Sequence, residues 1–237
     1  MEFLFNILKI VHIFGGFLAL FVFWIPIVTK KGGRVHRISG WLYVGGMVTV
    51  AISAFYMGIY RIFLDPSTSS EDVSFSWFLI FIAILSSAAA YYGIRVLRFK
   101  KRKTRHRHAL DLGYPLLLVF SGICMSVYGF LSDFPLLLWF PIVGILLGIS
   151  QLFYWIQAPK KKMHWWFEHL AGMLACCIST ITAFTVFGAP RLLGLESVSI
   201  IIWFLPTILI TPLIIGLSIY YSKKFSGSNK TNVTHKK

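Results

Sequence analysis

Polar and apolar residues in this chain fall into long blocks, not into short helical or strand periods. Seven apolar runs cover residues 4–28, 38–62, 75–98, 110–131, 135–157, 165–187 and 198–222. Each comes close to the ~20 residues a helix needs to cross a hydrocarbon core about 30 Å thick. The pattern predicts an all-α polytopic membrane bundle of about seven transmembrane helices. One membrane domain takes residues 1–222, and the polar tail KKFSGSNKTNVTHKK, 223–237, is predicted to be disordered. The gaps are too short for a soluble domain. Pro206 and Pro212 predict kinks in the seventh helix, which membrane helices tolerate. The start, MEFLFNILKI, has no basic n-region, and the first run has no A-x-A cleavage site, so it reads as a retained helix.

Composition agrees with lipid as the solvent. The chain is 57% hydrophobic and 13% charged, with a mean hydropathy of +0.75; a soluble domain carries about 25% charged residues. The net charge of +15 raises nucleic acid as a partner. The cations, however, are confined to gaps between apolar runs and not spread over a soluble face, so nucleic-acid binding is excluded and membrane lipids are the expected partner. Twenty of the 23 lysines and arginines fall in the first, third and fifth gaps and the tail. The second gap, LDPSTSSEDVS, is acidic. The positive-inside rule then puts the N-terminus outside and the C-terminus in the cytoplasm, in a cell (plasma) membrane. Cys124, Cys176 and Cys177 lie inside apolar runs and read as small packing residues, not as a disulfide or metal pair.

Candidate chemistry gathers at the basic gaps. The first, KKGGRVHRISG at 30–40, ends in His36 and Arg37, with Gly40 one helical turn beyond the histidine. Three helices enter from basic gaps with histidine at the entry: GGRVHRISG, RHRHALDLG and MHWWFEHLAG. A hairpin unit used three times, with a seventh helix added, gives this pattern. His36, His106, His108, His164 and His169 therefore share the inner boundary, together with Asp111 and Glu168; His12 alone lies in the outer half, and His235 is in the tail. Ionisable groups within membrane helices are costly and face the bundle interior or water. If their helices are neighbours, His36, Asp111, Glu168 and His169 converge on one inner vestibule.

A plainer reading competes at each position. Asp111 and Glu168 occupy first helical turns, where the dipole favours a carboxylate. Histidines at the interface can point their polar atoms at headgroups, and Trp165 and Trp166 suit an interfacial belt. For His106, His108 and His164 the interfacial reading leads. For His36 and His169 the two readings are balanced, and His12 is the hardest to dismiss. Glycines follow three of the histidines: Gly15 and Gly16 after His12, Gly40 after His36, Gly172 after His169. They leave space for a flat haem beside an imidazole, or let another helix pack closely.

VHIFGGFLALFVFWIPIVTKKGGRVHRISGWLYVGGM resembles the H-x-x-x-G … KG-x-x-x-HR-x-x-G-x-x-Y … M pattern of an uncharacterised bacterial multi-pass membrane family, domain of unknown function 2306. The stretch WWFEHLAGMLACCISTITAFTVF is similar to the H-x-x-x-M … TAF-x-V helix of some members. The matching positions are His12, Gly16, Lys31, Gly32, His36, Arg37, Gly40, Tyr43, Met47, His169 and Met173. The resemblance covers the first two helices and the sixth, with RHRHALD a loose counterpart of the family's middle histidine motif. It implies a multi-pass bundle in which His12, His36 and His169 matter, and brings no activity with it.

Three functions follow from these residues. One is a redox protein holding haem b between helices, similar in logic to b561-type cytochromes and ferric-reductase-like bundles. Only the inner cluster offers two histidines at one depth, so two stacked haems are excluded. The second is a transporter for a small solute, a metal ion or protons. The third is a membrane scaffold or assembly factor, working as a homo-oligomer or with a membrane partner. No phosphate loop, dinucleotide fingerprint, nucleophile elbow or H-E-x-x-H motif is present, so no catalytic residue is assigned. The candidate ligand residues are His12, His36, Arg37 and His169. His108, Asp111 and Glu168 form a secondary polar cluster, and Gly16, Gly40 and Gly172 are candidate packing glycines.

Overall fold

The structure is a computed structural model; it describes residues 2–194 and 199–234, with side chains described as far as Phe225. His235 lies outside the described residues. Among the described residues seven helices are long and apolar enough to cross a membrane. They are α1 (Glu2–Val28), α2 (Arg34–Phe63), α3 (Ser70–Phe99), α4 (Ala109–Leu131), α5 (Pro135–Ile156), α6 (His164–Leu193) and α7 (Ile200–Phe225). The protein is thus an integral, multi-pass, all-α helical bundle, as the apolar blocks predict. Its outward faces carry Phe14, Phe21, Trp41, Phe120 and Phe153, all exposed, as befits surfaces solvated by lipid tails.

Successive helices run in opposite directions. Phe5 at the start of α1 meets Tyr60 near the end of α2, and Ser74 at the start of α3 hydrogen-bonds Tyr128 near the end of α4. Trp166 at the start of α6 packs on Tyr221 and Phe225 of α7. The loops at 29–33, 100–108 and 157–163 therefore share one end of the bundle. Together with Arg34, Arg37, Arg95 and Arg98 in the flanking helix turns, they hold most of the lysines and arginines, so we call it the basic end.

Helix α3 is the hub. It packs against α2, α4 and α6, while α4 pairs with α5 and α1 with α2. Its centre, SSAAA at 86–90, is made of small residues that let neighbouring helices approach. The closest approach is to α6: a Cβ on Gly172 would sit 2.8 Å from the Gly93 α-carbon. α1 meets α2 in the same way, since a Cβ on Gly46 would lie 3.0 Å from the Gly15 carbonyl oxygen.

The helix ends follow from local chemistry. α1 is interrupted at Phe23, because Pro26 has no N–H to give the Val22 carbonyl and its ring crowds that turn. Gly32, at φ +75°, supplies the left-handed step that turns the chain into α2. Ser69 caps α3 by accepting from the Asp72 amide at 3.1 Å. α6 contains one π-helical stretch, Phe184–Gly188, near which the Thr185 hydroxyl donates to the Ile181 carbonyl at 2.8 Å. The final helix is assigned from Ile200 to Thr234, with Pro206 and Pro212 inside it.

Candidate functional site

The last turns of α3 organise the basic end. Tyr91, Tyr92, Gly93 and Arg95 reach three neighbours: α4, α6 and, through α6, the α1–α2 turn.

On the α4 side lies Asp111, fully buried at 0% exposure. Arg95 grips it with two prongs, Nε to Oδ1 at 2.6 Å and a terminal nitrogen to Oδ2 at 2.9 Å. The Tyr91 hydroxyl donates to Oδ1 at 3.0 Å, and His106 Nε2 meets Oδ2 at 2.7 Å. His106, not His108, is therefore the histidine that bonds this carboxylate. The His108 ring is about half exposed and stays 3.7 Å away. The loop is the reason: the His106 amide donates to the Trp155 carbonyl at 3.0 Å, and its ring packs on Phe99 and Trp155. His108 instead occupies the N-cap position of α4 and faces outward. Arg102 secures the same loop by donating to the carbonyls of Tyr154, Trp155 and Gln157 at the end of α5, its guanidinium 4.3 Å from the Tyr154 ring centre.

On the α6 side, Glu168 accepts a 2.5 Å hydrogen bond from Tyr92. Its neighbour His169 places Nδ1 2.7 Å from the Gly93 carbonyl. That carbonyl sits where α3 tightens into its final turn, so it is available to a side chain. Across from His169 is His36, whose Nδ1 lies 2.9 Å from the Pro26 carbonyl. α1 ends at Val28, so that carbonyl is among the last four and has no amide donor from its own helix; it also accepts from Lys31 Nζ at 3.0 Å, and Lys31 donates to Ile27 as well. Partial burial of the Lys31 ammonium against the end of α1 lowers its pKa from the ordinary lysine value.

The two imidazole rings are 6.3 Å apart, centre to centre, at an interplanar angle of 68°. Each Nδ1–H donates to a backbone carbonyl, so in the neutral imidazole the tautomer is fixed and Nε2 carries the free lone pair. No other described residue hydrogen-bonds either Nε2. Deeper between α2 and α6, the Tyr43 hydroxyl meets Thr180 Oγ1 at 3.0 Å, beside Met47 and the buried Cys176 and Cys177. Arg37 is exposed next to His36.

The predicted residues thus separate. His36 and His169 come together. Asp111 and Glu168 lie near them in two distinct hydrogen-bonded sets, and the single open vestibule does not form, because Arg95, Tyr91 and His106 close over Asp111. His12 is elsewhere: its Nδ1 lies 3.0 Å from Ser53 Oγ and 3.2 Å from the Val50 carbonyl. It is roughly 20 Å along α1 from Pro26, at 1.5 Å per residue. The glycines divide too. Gly172 is a packing contact with α3 and leaves no slot beside His169. Gly16 is looser, its nearest neighbour being Val50 at 4.0 Å, and the tight contact is made by Gly15. Gly40 has nothing within 4 Å of its Cβ position, so it is open and not a packing residue.

Sequence reasoning missed Tyr91, Tyr92, Gly93 and Arg95. The available signal was Arg95, a charge near the end of the most small-residue-rich apolar run. No family model, curated protein or solved structure matches the chain.

Proposed function

We propose that this protein is a membrane redox protein that holds one b-type haem at its basic end, with His36 and His169 as axial ligands. The observation that carries the reading is the pair of imidazoles, each anchored through Nδ1, with centres 6.3 Å apart. Two imidazoles sharing one metal through Nε2, with bonds of about 2.0–2.1 Å, have ring centres on the order of 6 Å apart. The donor set favours haem over a bare ion. Among the described residues no group of three or more His, Cys, Asp or Glu is placed to hold a metal. A zinc-type site needs about four protein or water ligands, whereas a haem iron asks the protein only for its axial positions.

In this reading the carbonyls of Pro26 and Gly93 orient the ligands and raise their basicity. Gly40 keeps the space one turn deeper than His36 clear. Arg37, exposed next to His36, would offer a cation for a propionate. A bound haem supplies one-electron transfer. The resemblance to domain of unknown function 2306 belongs to the same proposal, as does the orientation with the basic end in the cytoplasm.

The test is the visible spectrum of detergent-purified protein, oxidised and reduced. A Soret band that is lost in His36→Ala and in His169→Ala, and kept in His108→Ala, is the expected result. No Soret band even after titration with haem overturns the reading. Reporter fusions at Ser69 and after Ser226 check the orientation, with opposite sides expected.

A further inference from the structure

α6 uses a different face for a second feature. Between α3, α5, α6 and α7 lies a cavity of about 250 Å³. Its wall is mostly aliphatic, with three aromatic side chains, Phe140, Phe187 and Trp203. Three threonines line it, Thr182 of α6 and Thr207 and Thr211 of α7, with Ser179 beside them; the hydroxyls of Thr182 and Thr207 are shielded from solvent without a hydrogen-bond partner among the described residues. Thr182 is only 4% exposed.

Tyr56, Ser126 and Gln151 also bury unpartnered polar atoms, but none of them lines this cavity, and many helix hydroxyls behave differently. Ser86, Ser87, Thr180 and Thr185 all return their hydroxyls to the carbonyl four residues earlier. At membrane depth no bulk water replaces a missing partner. The π-helical stretch begins two residues after Thr182 and brings Phe187 to the wall; such turns are rare and recur at functional sites. Ile214 lines both this cavity and a wider cleft of about 700 Å³ between α5, α6 and α7, whose walls are apolar at Phe153, Ile215 and Ile219 and carry Lys160, Lys161 and Glu168 towards the basic end.

We propose that this cavity binds a membrane quinone. Two donors without acceptors, in an apolar wall that includes three aromatic side chains, match a flat ring with two carbonyl oxygens. The hydroxyls of Thr182 and Thr207 donate to those oxygens, the aromatic side chains pack against the ring, and the apolar tail leaves past Ile214 into the cleft. A fatty acid fits less well, because no cation lines the cavity. The site is separate from the histidine pair: Ala171 and Ala175 line the cavity, while His169 and Gly172 turn to α3.

The probe is a short-tailed benzoquinone titrated into the detergent-purified full chain and read by quenching of tryptophan fluorescence. Saturable quenching is expected, and Trp203→Phe should remove most of it. The double variant Thr182→Val, Thr207→Val keeps the side-chain shape, and it should raise the Kd by a factor of about ten or more with the thermal unfolding temperature unchanged or higher. Ala175→Phe, which fills the cavity, should abolish binding. Absence of saturable quenching in the parent protein, or an unchanged Kd in the double valine variant, overturns the proposal and leaves an unliganded void. The readout needs no Soret band, so its failure is distinguishable from failure of the haem reading.

Discussion

Asp111 receives all its hydrogen bonds from the protein, whereas His36 and His169 each commit one ring nitrogen and hold back the other. Both groups sit at the basic end, and both depend on the last turns of α3. An ionised carboxylate offers about four lone-pair sites, and Arg95, Tyr91 and His106 supply four contacts to Asp111. Nothing remains for a ligand. The histidine pair has the opposite arrangement, with fixed tautomers and unused acceptors. Burial and charge alone would rank Asp111 as the functional group; the hydrogen-bond inventory reverses that ranking.

The comparison is sharpest where the closed cluster is opened. Arg95→Met leaves the Asp111 charge buried and should destabilise the protein by about 3–5 kcal/mol, read by denaturing-detergent titration in mixed micelles. A loss below about 1 kcal/mol would show that the ion pair is not a structural element. Asp111→Asn should cost less, because the Arg95 side chain keeps 18% of its exposure. Next comes the contact beneath the histidines. Gly172→Ala forces α6 away from Gly93 and should cost about 1–3 kcal/mol. It should also move His169 and weaken the Soret band, which a purely local packing defect would leave alone.

Tyr92→Phe strips the hydrogen bond from Glu168, at a cost of about 1–3 kcal/mol, and should leave the spectrum unchanged. His169→Gln and His36→Lys should cost the fold only about 0.5–1.5 kcal/mol each, yet abolish ligation, since neither replacement offers an imidazole nitrogen. Unchanged spectra in both would erase the distinction between site and scaffold. The smallest effect is expected at the opposite end. Hydrogen bonds from the Ser67 hydroxyl and amide hold the Asp65 carboxyl below its usual pKa. Its contribution is present above the unfolded-state pKa and fades as pH falls through the lower folded value. Asp65→Asn should flatten the acid side of the stability profile and do nothing else; an unchanged acid limb would refute that assignment.

How far the sequence could be read depended on whether a feature is written locally. The seven spans were legible because lipid demands length and hydrophobicity within one segment. His36 and His169 were legible as candidates because each stands at a helix entry after a basic gap and has a glycine about one turn further on. Their meeting was not, since it depends on α6 docking on α3 through Gly172 and Gly93, a contact that hydropathy does not record. The roles of His106 and His108 are likewise invisible in RHRHALD; the loop clamp made by Arg102 on the end of α5 decides which ring turns inward. Thr182 and Thr207 looked like ordinary small residues of membrane helices, and only their missing partners set them apart.

The two histidines belong to helices made far apart in time. His36 is on the second helix to leave the ribosome and His169 on the sixth, so at about 5–20 residues per second the first waits on the order of ten seconds for its partner. Until then the Pro26 carbonyl holds His36 in register, and the early hairpin needs no later helix to keep that ring oriented. A chain stopped after α5 would carry a prepared ligand with nothing to share it. Loading of any group that needs both rings is therefore confined to the finished protein.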